Sequence, residues 1–134
     1  VKINSARDVA NHISSPSIQY AIVILINKIT DDMSFEEYHN LSRQDKDAIN
    51  SLLFGLNTHG ILVSKDILSL ELVTLFYQQL AVGLSGRLRR LHEIVSANAE
   101  NKIGVEEVKK MVPLQHMIWL LDEMEKMPLL RVPK

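Results

Sequence analysis

The spacing of apolar residues after position 48 predicts an amphipathic helix. Apolar side chains recur there at positions i, i+3, i+4 and i+7, namely Ile49, Leu52, Leu53 and Leu56. Ser42 precedes this pattern as a typical N-cap, and Asp45 falls at the third helical position, where a carboxylate is favourable. The pattern therefore predicts a helix over about 43 to 58.

The end of this helix and the start of the next are also predicted from local residues. His59-Gly60 is typical of a left-handed helix stop, and Ser64 is positioned to cap a following helix over about 65 to 82. Apolar residues occupy most of the circumference of that second helix, so we expect it to be deeply packed. Its narrow polar stripe is expected to consist of Glu71, Thr74 and Gln78.

The segment from Ile18 to Ile29 is apolar nearly all round. Its β-branched residues would also suit a buried strand, but no other segment has a pattern that could pair with it, so we predict a helix. A central core helix is the favoured interpretation. The alternative is a self-association surface formed by Tyr20, Val23, Ile24 and Asn27, because a helix in a small bundle usually has only two or three sides covered.

The remaining segments are also typical of helices. Asn4 or Ser5 is a candidate cap for an opening helix to Ile13, Ser14-Ser-Pro16-Ser predicts a break, and Ser34-Phe-Glu-Glu37 is a capping box. We expect a later helix with its buried stripe at Leu88, Leu91, Ile94 and Val95, then a polar loop from Asn98 to Gly104.

The last segment, from Val105 to Met127, has a helical pattern that Pro113 should kink or break. The proline at 128 ends it and leaves a short loose tail over 128–134. No repeat or composition shift divides the chain. The sequence therefore predicts an all-α protein over 1–134, a single compact bundle of about five to seven helices with short connections.

Composition narrows the classes of partner. Fifteen basic and sixteen acidic residues give a formal net charge of -1, so no overall field favours nucleic acid or an anionic membrane surface. The absence of cysteine excludes disulfides and thiolate metal sites, and it favours a reducing compartment such as the cytoplasm. Membrane attachment is expected only through a segment outside this sequence.

Two short patterns have the spacing of known sites. Glu36-x-x-His39 has the spacing of a di-iron ligand pair, but the chain lacks the second pair that such a centre requires, so we predict no metal and no cofactor. Arg87, Arg89 and Arg90 form a candidate basic patch, with Lys102, Lys109 and Lys110 as further contributors. Without interleaved aromatic residues, a solvated face is the favoured interpretation over a nucleic-acid site.

The order of several apolar motifs resembles that of a known family. The motifs begin at Asp45-Lys-Asp-Ala-Ile-Asn-Ser-Leu-Leu-Phe-Gly, Leu70-Glu-Leu-Val-Thr-Leu-Phe, Leu88-Arg-Arg-Leu-His-Glu-Ile-Val and Met117-Ile-Trp-Leu-Leu. Together they resemble an uncharacterised family of small helical proteins, over roughly residues 20 to 122. Many members of that family look tethered to a membrane by an N-terminal helix, so the resemblance implies a cytosolic domain beside a membrane and no particular activity.

These observations favour a non-enzymatic helical interaction or regulatory domain with a protein partner and with self-association into a homodimer. The alternative is a domain that binds a small apolar ligand in a pocket. That pocket would be lined by Phe54, Phe76, Tyr77, Met117 and Trp119. An enzyme that uses His39 or His116 is the weakest of the three hypotheses, because no convergent polar constellation accompanies either residue.

Overall fold

The computed structural model describes residues 2 to 103 and 114 to 128, with side chains from 7 to 98 and from 114 to 128. This part of the chain is all-α, as predicted, and contains no strand. Its helices are α1 (Lys2–Ser14), α2 (Pro16–Asn27), α3 (Phe35–His39), α4 (Arg43–Ser64), α5 (Leu70–Gly83), α6 (Ser85–Ile103) and α7 (Gln115–Glu125). The break expected at Pro113 and the tail after Pro128 lie outside the described residues.

The start of α4 is as predicted, but its end is not. The Ser42 hydroxyl accepts a hydrogen bond from the Asp45 amide at 3.1 Å, and this caps the helix. The helix continues through His59 and Gly60, so the left-handed stop predicted there is wrong. The stop lies at Asp66, whose φ is 57°.

Asp66 is the left-handed residue of a Schellman motif. Its own amide donates to the Val63 carbonyl at 3.0 Å, and the Ile67 amide donates to the Leu62 carbonyl at 3.0 Å. The next helix, α5, is capped by Ser69 and not by Ser64. The Ser64 hydroxyl instead donates to the Ile61 carbonyl one turn earlier.

The N-terminal breaks follow the sequence closely. Pro16 occupies the first turn of α2, where its missing amide is not needed, and α1 ends at Ser14. α1 begins at Lys2, before both of the caps expected for it at Asn4 and Ser5. The capping box at Ser34 and Glu37 is present and starts α3, as predicted.

The buried face of α5 differs from the prediction. Thr74 and Gln78, expected in the polar stripe, are buried, whereas Leu75 is 57% exposed. Each buried polar group has an acceptor: the Thr74 hydroxyl donates to the Leu70 carbonyl, and the Gln78 amide donates to the Pro128 carbonyl at 2.8 Å. Hydrogen bonds to backbone carbonyls, one local and one distant in sequence, thus permit these two polar side chains to be buried.

α4 lies at the centre of the bundle and packs against α2 and α7. A Cβ atom on Gly60 would lie 2.2 Å from the His116 carbonyl oxygen, so the absence of a side chain permits the close approach of α7. The Asn57 side chain accepts a hydrogen bond from the Met117 amide at 3.0 Å and so caps the first turn of α7 from the neighbouring helix. Gly60 therefore serves helix packing and not a turn.

α6 confirms the predicted buried positions Leu88, Leu91 and Ile94, which have no exposed surface. The helix backbone extends to Ile103, so the polar loop expected from Asn98 is wrong over that range. The three arginines of the candidate basic patch lie on α6 and are partly exposed.

Candidate functional site

The predicted self-association surface corresponds to an exposed, largely apolar face of α2. Tyr20, Val23 and Ile26 are 37%, 51% and 50% exposed, and Asn27 lies on the same side. Ile24, which the sequence placed on this surface, is only 4% exposed and belongs to the core. The reason is the helical period, which turns position 24 toward α4 and leaves 20, 23, 26 and 27 outward.

Both ends of this face are fixed by a polar cluster. The carboxylate of Asp45 on α4 is buried, and it accepts hydrogen bonds from the Tyr20 hydroxyl and from the Lys28 ammonium, the latter at 2.7 Å. Lys28 is half exposed and forms the ion pair from the C-terminal end of α2. The cluster therefore joins both ends of the α2 face to the first turn of α4.

The charges in this cluster stabilise one another. The Lys28 ammonium and the Tyr20 hydroxyl hold the pKa of Asp45 below its ordinary value. The hydrogen bond to Asp45 raises the pKa of Tyr20 and also that of Lys28. Near neutral pH the arrangement is thus a carboxylate, a neutral phenol and an ammonium, with no acid or base adjusted to titrate near pH 7.

An open cleft of about 460 Å³ lies beside Tyr20, between the first turns of α2 and α4. It is lined by Pro16, Ser17, Tyr20, Gln44, Asp47, Ala48 and Ser51. Tyr20 belongs both to this cleft and to the α2 face, so the two surfaces are continuous.

The three arginines of the candidate patch are engaged within the fold. Arg87 donates to the Leu25 and Ile26 carbonyls, at 3.0 and 2.7 Å, and so binds the C-terminal turn of α2. Arg89 forms ion pairs with Asp122 and Glu125 of α7, at 2.7 and 3.1 Å.

Arg90 donates to the Met33 carbonyl, pairs with Glu93 and lies over the Phe35 ring. The guanidinium groups of all three arginines therefore join helices and loops. Arg89 and Arg90 are paired with carboxylates, whereas Arg87 is bonded to uncharged carbonyls and keeps its charge.

A second polar cluster, which sequence reasoning missed, lies where α1, α4 and α5 meet. The rings of His12 and His59 are in edge contact with centroids 5.2 Å apart, and the rings of His59 and Tyr77 are 5.5 Å apart. Within the described part of the chain, His12 Nε2, His59 Nδ1 and Tyr77 Oη are buried and have no hydrogen-bond partner. Such orphaned groups are rare in a core.

Burial determines the charge state of this cluster. It lowers the pKa of His59 to about 4, with a smaller contribution from His12, and it also lowers the pKa of His12. Burial raises the pKa of Tyr77. All three side chains are therefore neutral at pH 7.

One sequence signal pointed toward this cluster. His59 continues the buried stripe of Leu52 and Leu56 along α4, although we had interpreted it as a helix-end residue. His12 and Tyr77 carry no such signal, because only the tertiary fold brings residues so distant in sequence together.

The residues of the predicted ligand pocket are divided between the core and the surface. Phe54 is 66% exposed and Trp119 lies at the surface, whereas Tyr77 and Met117 are fully buried and Phe76 is partly buried. Their positions explain why: the apolar residues of each helix divide between core and solvent according to face. The pocket expected from them stays a prediction.

The two histidines of the enzyme hypothesis lie on different helices. His39 is exposed at the end of α3, and His116 lies in the first turn of α7. Across residues 7 to 98 and 114 to 128, no group of three or more His, Asp or Glu side chains is arranged to hold a metal ion.

Within the described ranges, no single helix is long and apolar enough to cross a membrane. The segments Arg7–Ser14 and Pro16–Asn27 reach that length and composition only together, and they are bent by 59°. Comparison of the chain with family models, with curated proteins and with solved structures found no match. The family resemblance and the cytosolic location that it implies stay predictions.

Proposed function

We propose that this protein is a non-enzymatic helical interaction domain that associates with a second copy of itself through the exposed face of α2. The observation that carries the proposal is the uncovered apolar surface of Tyr20, Val23 and Ile26 on a helix whose opposite side forms the core. Contiguous exposed apolar patches on a protein surface commonly mark interaction sites.

Charge supports a second copy as the occupant. Between Pro16 and Asn27 the helix has no charged side chain, and the adjacent Lys28 is paired with Asp45. Two copies related by a twofold axis can therefore bring these faces together without burying a charged side chain of α2 itself.

The aromatic residue on this face is ordered before association. Because the Tyr20 hydroxyl is bonded to Asp45, the ring loses little conformational freedom when a partner covers it. Tyrosine is also among the residues that most often dominate binding energy at interfaces. Tyr20 is therefore the expected anchor of the contact.

The arrangement of the polar groups in the described part of the chain supports the non-enzymatic part of the proposal. The polar groups next to the α2 face bond to one another, and those of the His12 cluster are buried among α1, α4 and α5. A catalytic site would instead direct such groups toward a substrate cavity.

The test is sedimentation velocity over about 1 to 300 micromolar protein. A 12-residue helix is about 18 Å long, so the interface is at the small end of the usual range and micromolar association is expected. Val23→Asp should give a folded monomer with unchanged far-ultraviolet circular dichroism, because that side chain is half exposed and its replacement disturbs little of the core.

Leu75→Asp is the matched control. Leu75 is an equally exposed apolar residue on α5, away from the α2 face, so its replacement should leave association unchanged. A wild-type chain that stays monomeric at about 100 micromolar would remove the proposal. Loss of association in the Leu75 variant and not in the Val23 variant would move the interface to α5.

A further inference from the structure

α1 is held on the bundle by a close fit at its C-terminal turn. A Cβ atom on Gly55 would lie 2.3 Å from His12 Nε2, so the His12 imidazole occupies a notch in α4 that exists only because residue 55 has no side chain. The same ring contacts the edge of His59, one helical turn further along α4. Val9, one turn earlier on α1, is fully buried and completes the contact.

This fit tolerates only neutral imidazoles. Neither His12 Nε2 nor His59 Nδ1 has an acceptor among the described residues, so a proton added to either ring would create a buried and unpaired charge. The edge contact also places the two rings close enough for one charge to oppose the other.

The surroundings of the two imidazoles offer no compensating carboxylate within the described ranges. On α1, Arg7 and Asp8 are exposed and precede His12 by about one turn. On α5 the group that faces His59 is Tyr77, and the exposed Glu71 lies nearly two turns before it. α2 contributes Tyr20, which is bonded to Asp45, and α7 contributes His116 beside Gly60. No ion pair joins any of these described groups to His12 or His59.

α1 can also detach while the contacts of α4 with α2 and α7 remain. It packs against α2 and α5, and α4 touches it through the notch. His12 is itself partly exposed, so its ring can swing into water without passing through the core. The break at Ser15 and Pro16 provides a hinge, with the Ser15 hydroxyl bonded to the His12 carbonyl at 2.8 Å.

We propose that α1 is a releasable cover of the α4–α5 surface: it is docked while His12 and His59 are neutral, and it detaches when either becomes protonated in mildly acidic solution. Detachment hydrates both imidazoles and exposes His59 and Tyr77, which the docked helix keeps buried. The remaining helices keep their own core, because α4 packs mainly against α2 and α7. The proposal does not depend on self-association through the α2 face.

The test is amide hydrogen exchange of the full chain at pH 7.5 and pH 5.5, read by mass spectrometry and corrected for the intrinsic pH dependence of exchange. Protection over residues 2 to 14 should fall by at least tenfold at the lower pH, whereas protection of α4 and α7 should change by less than threefold. The double variant His12→Gln with His59→Gln should retain its protection at pH 5.5. If the double variant does not fold, His12→Gln alone should give a partial rescue, smaller than half on a logarithmic scale because His59 still titrates, and no rescue would overturn the proposal.

Gly55→Ala provides a test that is independent of pH. Its methyl group would fill the notch and turn the flexible His12 ring aside, so protection of α1 should already be lower than in the wild type at pH 7.5. Gly83→Ala is the control, because a Cβ atom there meets no atom within 4 Å. Equal protection of residues 2 to 14 at both pH values in the wild type, or loss of protection in α1 and α4 together, would overturn the proposal.

Discussion

At the scale of single residues, two glycines of α4 determine how closely neighbouring elements approach. Gly55 accommodates the His12 side chain, and Gly60 accommodates the backbone carbonyl of His116. A side chain can move aside, whereas a backbone carbonyl inside a helix moves only with its helix. The two positions should therefore differ in how they tolerate the same added methyl group.

Gly60→Ala should destabilise the protein by about 1 to 3 kcal/mol, because the new Cβ atom would overpack the α4–α7 contact. Gly83→Ala should be neutral or stabilising by at most about 1 kcal/mol, since alanine favours the helix and the site is open. Urea titrations of both variants give the comparison. A Gly60 variant as stable as the Gly83 variant would show that α7 is not held at this distance.

A second prediction at this scale concerns the pH dependence of the stability that Asp45 contributes. Its pKa in the folded protein is lowered by Lys28 and Tyr20, so its contribution to stability is present above the ordinary carboxyl pKa and is lost as the pH falls through the lowered value. Asp45→Asn should lower the midpoint of thermal unfolding at pH 7, and its difference from wild type should shrink below about pH 4. A difference that is constant from pH 3 to pH 7 would show that the carboxylate charge contributes nothing.

At the scale of the helix, α5 shows how a face is chosen. Apolar residues surround this helix, so their count alone leaves the buried side undetermined. The buried side is the one that bears Val73, Tyr77 and Ala81. Thr74 and Gln78 are buried on the same side because each donates a hydrogen bond to a backbone carbonyl. Leu75 remains in solvent on the opposite side.

Two leucines of α5 provide a matched test of this orientation. Leu80→Ala should destabilise by about 2 to 5 kcal/mol, the range for a buried leucine, because Leu80 is buried in the core. Leu75→Ala should change the free energy of unfolding by no more than about 0.5 kcal/mol, as expected for an exposed position. Equal losses in a urea titration would mean that α5 is rotated relative to the fold described above.

At the scale of the whole molecule, one buried cluster contains residues of α1, α2, α4, α5, α6 and α7. A continuous core of this kind predicts cooperative unfolding at neutral pH, when α1 is docked. Unfolding in urea followed by the fluorescence of Trp119 on α7 should therefore coincide with unfolding followed by far-ultraviolet circular dichroism. Separate midpoints at pH 7.5 would show that the chain contains more than one independent unit.

The sequence by itself determined the features that depend on neighbouring residues. The all-α class, the caps at Ser42 and Ser34, the break at Pro16 and the buried stripe of α6 follow from hydrogen bonds and periodicity within a few residues. These interactions are local, so their signals are present in the order of the residues.

The tertiary structure alone decided the features that depend on distant partners. The sequence predicts a helix stop at Gly60, whereas the fold places α7 against it. The sequence predicts a basic patch at the arginines, whereas the fold supplies acceptors for them in α2 and α7. The orientation of α5 and the meeting of His12, His59 and Tyr77 were likewise fixed by packing between helices. The residues next to a position in the sequence do not reveal such a partner, because the partner's location depends on the whole fold.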